Sequence, residues 1–182
     1  YVSLGLAIDL GAFYQSPGGL INAGLTIRNW GLQLTTYSGI REKLPFEITA
    51  GISTALRHAP LKFSLTARHL EKYDLLHSYS ASDDDDPPLS KTGEIAENIM
   101  RHLVFGAELM PTENFFISTG FNYQRRKELM LDLRSATVGF SLGAGIKTSS
   151  FEIMISRARY HVAGSSTTFS LLLKPSLFNS LK

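Results

Sequence analysis

Hydrophobic residues recur along this chain at every second position. The clearest instance is TVGFSLGAGIK, residues 137–147, where Val138, Phe140, Leu142, Ala144 and Ile146 alternate with Thr137, Gly139, Ser141, Gly143 and Gly145. A period of two belongs to a β-strand whose faces meet different surroundings. The polar face is the unusual one. A strand on a water-soluble sheet ordinarily carries Lys, Glu or Thr there, whereas this one carries three glycines. Bulk lies all on one side, which predicts a barrel whose bulky face points outward into lipid.

The same signature predicts eight more strands. The first, over residues 2–14, sets Leu4, Leu6, Ile8 and Leu10 against Ser3, Gly5, Asp9 and Gly11. The second, over 20–30, sets Ile21, Ala23, Leu25 and Ile27 against Asn22, Gly24, Thr26 and Arg28. The third carries Phe46, Ile48, Ala50 and Ile52, and the fourth Leu61, Phe63, Leu65 and Ala67. A fifth runs over 102–110, and a sixth shows Phe115, Ile117, Phe121 and Tyr123. Residues 137–147 are the seventh. The eighth has Phe151, Ile153 and Ile155, and the ninth Phe169, Leu171 and Leu173. A short helix is expected over 92–100 within the longest connection.

Connection lengths then alternate: short, long, short, very long, short, long, short, medium. Membrane barrels gather tight turns on the periplasmic side and longer loops outside, and strands of about 9–11 residues cross a bilayer when tilted. Tyr14, Trp30, Phe46, Phe115, Tyr123 and Phe151 fall near predicted strand ends, where an interfacial aromatic girdle belongs. A soluble barrel or sandwich with its apolar face inside has the same period; a Gly/Ser-rich face makes a poor soluble surface and disfavours it. Nine strands is an odd count for a single-chain bacterial barrel. The chain also opens inside a strand with no visible leader. Together these predict a fragment of a barrel, in one domain over 1–182; a strand missed inside the longer connections would also make the count even.

Composition changes this picture little. The chain has 182 residues, 43% hydrophobic, with a net charge of +2. That excludes a disordered chain and, with basic residues scattered, argues against nucleic acid. There is no cysteine, so disulfides and Cys-ligated metals are excluded. The longest apolar runs fall well short of a membrane helix.

Candidate chemistry is sparse. His58, His69, His77, His102 and His161 show no metal-ligand spacing, and no nucleophile elbow or phosphate loop occurs; no cofactor and no enzymatic activity are expected. The run Asp83, Asp84, Asp85, Asp86 reads as a calcium candidate or a solvated loop tip, and its spacing, unlike an EF-hand, favours the tip; within the long outer loop over 71–100 these four residues are also candidates for contact with a surface partner. Arg125, Arg126 and Lys127 sit where an outer loop should begin. They are candidates for contact with lipopolysaccharide or a protein partner, or anchors that snorkel at a strand end. Inward charges Asp9, Arg28, Glu47, Arg68 and Glu108 have mixed sign, which predicts ion pairs bracing a lumen and not a selectivity filter.

Several segments carry a resemblance: NWG at 29–31, LPF at 44–46, RHAP at 57–60, RHL at 101–103 with FGAE at 105–108, NYQRRKEL at 122–129, GFSLGAGI at 139–146 and YHVAG at 160–164. In order and spacing they resemble the PorQ family, outer-membrane barrels of the Bacteroidetes type IX secretion system. The resemblance spans nearly the whole chain, with 122–129 its most specific piece. It implies an all-β, antiparallel, FadL-like transmembrane barrel, 14-stranded in that family, of which this chain holds about nine. It further implies a non-enzymatic role in the attachment complex, with a PorZ-like surface protein as partner and outer-membrane lipid and lipopolysaccharide as surroundings. The Asp run departs from the family pattern. A FadL-type transporter of a hydrophobic small molecule is the alternative; a lumen face of Gly, Ser and Thr with mixed charges disfavours it.

Overall fold

The computed structural model describes residues 3–36, 39, 41–76, 90–129, 137–161 and 164–173. Nine strands form one antiparallel sheet in sequence order: β1 (Leu4–Gln15), β2 (Ile21–Thr35), β3 (Glu47–Ala55), β4 (Leu61–Ala67), β5 (Leu103–Leu109), β6 (Phe115–Asn122), β7 (Phe140–Lys147), β8 (Phe151–His161) and β9 (Gly164–Leu173). The sheet is not closed: β1 and β9 each pair on one side only. Helices α1 (Lys91–His102) and α2 (Tyr123–Leu129) interrupt the connections after β4 and β6. Among the described residues no helix is long and apolar enough to cross a membrane, which has no bearing on crossing by strands.

The register lines up the alternation of every strand. One row runs Ala23, Ile52, Leu65, Phe105, Phe121, Phe140 through directly opposed pairs. The opposite face carries Ser53, Ser64, Gly106, Gly120 and Ser141 in an equally continuous row. Among the described residues no layer covers the apolar face: Ile52 is 51% and Leu142 65% exposed. The small-residue face is the sheltered one, since Phe116 and Glu47, which lie on it, are buried.

Glycine on that face makes room for the neighbouring strand. Ser64 Oγ stands where a Cβ on Gly106 would be, and Ser141 Oγ and Ser118 Oγ lie 2.7 and 2.8 Å from the Cβ positions of Gly120 and Gly143. Phe116, the one large side chain that breaks the small pattern of β6, lays its ring over Gly145 directly across the ladder. An aromatic on a cross-strand glycine covers backbone that glycine leaves bare.

Three boundaries depart from the sequence expectation. The second strand continues past Trp30 to Thr35 through a bulge: Ile8 opposes Trp30 but Leu10 opposes Ile27. Asn29 takes a left-handed φ of 55° there. Its N–H donates to Asp9 Oδ1 at 2.7 Å and its Nδ2 to Pro45 O at 2.9 Å. The bulge moves the outward set from odd positions (Leu25, Ile27) to even ones (Trp30, Leu32), so the strand outlasts its own periodicity. The seventh strand begins at Phe140, not Thr137. Residues 137–139 form a turn, Gly139 has φ 86°, and Val138 is 1% exposed, not outward-facing. Finally, β8 ends at His161 and β9 starts at Gly164, so the last connection is shorter than expected. The remaining alternation holds: β1–β2, β3–β4, β5–β6 and β7–β8 join tightly at one end, and the longer connections gather at the other.

A Cβ at Gly145 would also meet the Ile153 carbonyl at 2.7 Å, which cannot swing away as a side chain can. Gly145→Val is therefore expected to cost about 2–3 kcal/mol. Gly24→Ala, whose nearest neighbour is Ala12 O at 3.8 Å, should change stability by less than about 1 kcal/mol. Denaturant unfolding of the two variants in detergent reads the difference; equal losses would remove the steric account.

Candidate functional site

Charge on the sheltered face concentrates toward the end with the longer connections. Glu47 opens β3 directly across from Arg28 of β2. Its carboxylate accepts from Arg28 Nη2 at 2.7 Å, from Arg68 Nε at 3.0 Å and Nη2 at 2.9 Å, and from Thr49 Oγ1 at 3.3 Å. Three chain segments thus share one buried acid, and the bracing role expected for these charges holds for Arg28, Glu47 and Arg68. Asp9 serves the bulge, and Glu108 lies across the ladder from Lys62.

The chain leaving β4 is folded back by short polar contacts. Leu70 N donates to Ile48 O at 3.0 Å, and Ile48 N to Glu71 Oε2 at 2.8 Å. Burial pushes the Glu71 carboxyl up, but the Ile48 N–H and the His69 ring outweigh it and hold it below the ordinary carboxylate range. Leu75 is wholly buried, and its N–H donates to Asn98 Oδ1 at 2.9 Å while Asn98 Nδ2 donates to Tyr73 O at 2.6 Å. Asn98 therefore clamps the segment onto α1. Ser90 caps that helix, its Oγ accepting from Gly93 N at 3.2 Å.

Glu97 joins the two helices. Tyr123 Oη donates to Glu97 Oε2 at 2.5 Å, Arg101 Nε lies 3.3 Å and Lys127 Nζ 3.9 Å from Glu97 Oε1, and Lys127 stands 6.0 Å over the Tyr123 ring. Burial, then the hydrogen bond to Glu97, pushes the Tyr123 phenol up to about 12.

One expectation is corrected: Tyr123 does not lie in the sixth strand but follows it as the first residue of a helix tied to α1. Arg125, Arg126 and Lys127 stand where the connection after β6 begins, and that connection opens as α2. Asn122 caps the helix by accepting from Arg125 N at 2.9 Å, Lys127 engages Glu97, and Arg126 Cβ packs 3.0 Å from the Cβ position of Gly139. Arg125 and Arg68, with Thr66, Asn122 and Ser141, line a cavity of about 200 Å³ on the sheltered face below α2. The structure brings these basic residues to the helix pair. Asp83, Asp84, Asp85 and Asp86 lie outside the described residues.

Sequence reasoning passed over Arg157 and Arg159. They continue the odd-numbered, outward face of β8 beyond Ile153 and Ile155, and two charges in an otherwise apolar series was the available signal.

No protein-family model and no curated protein matches the chain.

The phenol of Tyr123 is protonated more firmly in the folded protein than in the unfolded one. Its contribution should be complete below about pH 10 and be lost as pH rises through about 12. Phenolate absorbance in an alkaline titration should show one late-titrating tyrosine that Tyr123→Phe removes; identical curves would contradict the helix–helix bond. Glu47→Ala should cost about 1–3 kcal/mol, the low end reflecting the partial exposure of both arginines. A shift in the urea midpoint measures it, and an unchanged midpoint would deny Glu47 its bracing role.

Proposed function

We propose that the chain is wall of an outer-membrane β-barrel that works without catalysis and presents its longer connections to a surface partner. The observation that supports this most is the uncovered apolar face. Nine paired strands carry aligned rows of Leu, Ile and Phe on one side and Gly, Ser and Thr on the other. In water such a face would drive association; in hydrocarbon it is the favoured arrangement, because each interior strand satisfies its backbone through its neighbours. Gathering both helices and the longer connections at one end gives that end the surface a partner would use.

The narrower reading, a PorQ-like component of type IX secretion that docks a PorZ-like protein, rests on the sequence resemblance alone. A FadL-type channel for hydrophobic molecules gains less support, since the Arg28–Glu47–Arg68 cluster and the serine rows make the sheltered face wet.

The full-length product should fractionate with outer membranes and migrate differently on gels when unheated and when boiled. A surface protein should co-purify from that fraction in mild detergent. A soluble, heat-indifferent monomer would overturn the barrel, and a clean barrel that captures no partner would overturn the docking role.

A further inference from the structure

On the outward face of β7, β8 and β9 the side chains change character within two residues. From the tight-turn end, opposed sets run Ile146–Ile153–Leu171, then Ala144–Ile155–Phe169, then Leu142–Arg157–Thr167. Arg159 follows on the same face opposite Ser165. Both arginines are exposed, four and two residues from the end of β8 at His161.

A cleft of about 460 Å³ lies between Arg157, Arg159, Phe140 and Leu142, lined also by Thr137, Ser141, Gly164 and Ser165 among the described residues. A second cleft, of about 410 Å³, shares Arg157 and Leu142 and leads on to Ala144 and Ile155. Together they make a groove basic at the strand-end side and apolar toward the middle of the sheet. Hydroxyls set the guanidinium of Arg157: Nε and Nη2 donate to Ser165 Oγ at 3.1 and 2.8 Å. Arg159 Nη1 donates to Thr137 Oγ1 at 3.1 Å.

We infer that this groove holds an acylated membrane lipid with a phosphate-bearing headgroup, its phosphate against Arg157 and Arg159 and one acyl chain along Leu142, Ala144 and Ile155. The inference rests on the barrel reading, which places this face in lipid. An outward charge near mid-membrane is costly and near the interface is not, so arginines at a strand end fit the headgroup level. Guanidinium is a strong donor to phosphate, and the cleft at the arginines runs on through Arg157 and Leu142 into an apolar one, which sets a place for an acyl chain beside a place for the phosphate. The residues are distinct from Arg125, Arg126 and Lys127, which belong to α2.

The test reconstitutes the full-length protein in phosphatidylcholine nanodiscs containing a minority of diphosphoryl lipid A, extracts it into mild detergent, and counts retained lipid by native mass spectrometry. Wild type should retain lipid A in preference to phosphatidylcholine. Arg157→Gln with Arg159→Gln should lower that preference about tenfold, Arg157→Lys with Arg159→Lys by less, and Arg57→Gln at the opposite rim should leave it unchanged. A double Gln variant that still shows heat-shifted migration yet retains lipid A as wild type does would overturn the site and leave the barrel standing. Wild type that never shows heat-shifted migration would overturn the barrel and the site with it. A second copy of the chain in place of lipid A would also overturn the proposal.

Discussion

The fit of serine hydroxyls and one phenyl ring over cross-strand glycines is the constraint on which the sheet depends. Ser64 on Gly106, Ser141 on Gly120, Ser118 on Gly143 and Phe116 on Gly145 are directly opposed pairs, so each fills what its neighbour lacks. A face so built has too few methylenes to supply a hydrophobic core of its own. The apolar area of the chain lies on the other side, uncovered. The stabilisation that a soluble domain draws from its interior must here come from whatever surrounds the sheet.

The polar contacts divide by place. Glu47 ties β2, β3 and the segment after β4 on the sheltered face, where leaving a guanidinium unmatched would be costly. Glu97 and Asn98, on successive positions of α1, face two different neighbours: one holds α2 and the other the chain around Leu75. Residues 73–75 and α2 are therefore held at this end by polar side chains of α1 and not by burial of apolar area alone.

Much of the sheet could be read from the sequence because period two survives through most of each strand. Strand order and hairpin pairing follow from the lengths of the connections, and α1 was visible from residues 92–100. What escaped has physical causes. The bulge at Asn29 changes parity in mid-strand, so a strand looks finished where it is only re-aimed. Tyr123 and the basic residues after it continue the pattern of β6 in sequence, but Asn122 caps a helix at that point and turns them toward α1. Val138 has the right parity for the outward face yet precedes the strand in a turn. Arg157 and Arg159 share parity with Ile153 and Ile155, but periodicity scores hydrophobic residues and is blind to a charge that keeps the beat. The inward ion pairs were legible because opposite signs at facing strand ends admit few other partners; whether they met was a question of register that only the coordinates answer.

The clamp that Asn98 places on residues 73–75 bears on how quickly the chain can find this arrangement. Every strand pairs with its neighbour in sequence, so most of the ladder can grow hairpin by hairpin with little entropy lost in each step. The exception is the joining of β4 to β5, whose ends are separated by the longest stretch of chain. Closing a loop costs more as it lengthens, by about 0.6 kcal/mol for each doubling. By holding Tyr73 and Leu75 against α1, Asn98 divides that closure into two shorter ones. Each of those closures is shorter than one spanning the whole connection, a saving of the order of one such doubling.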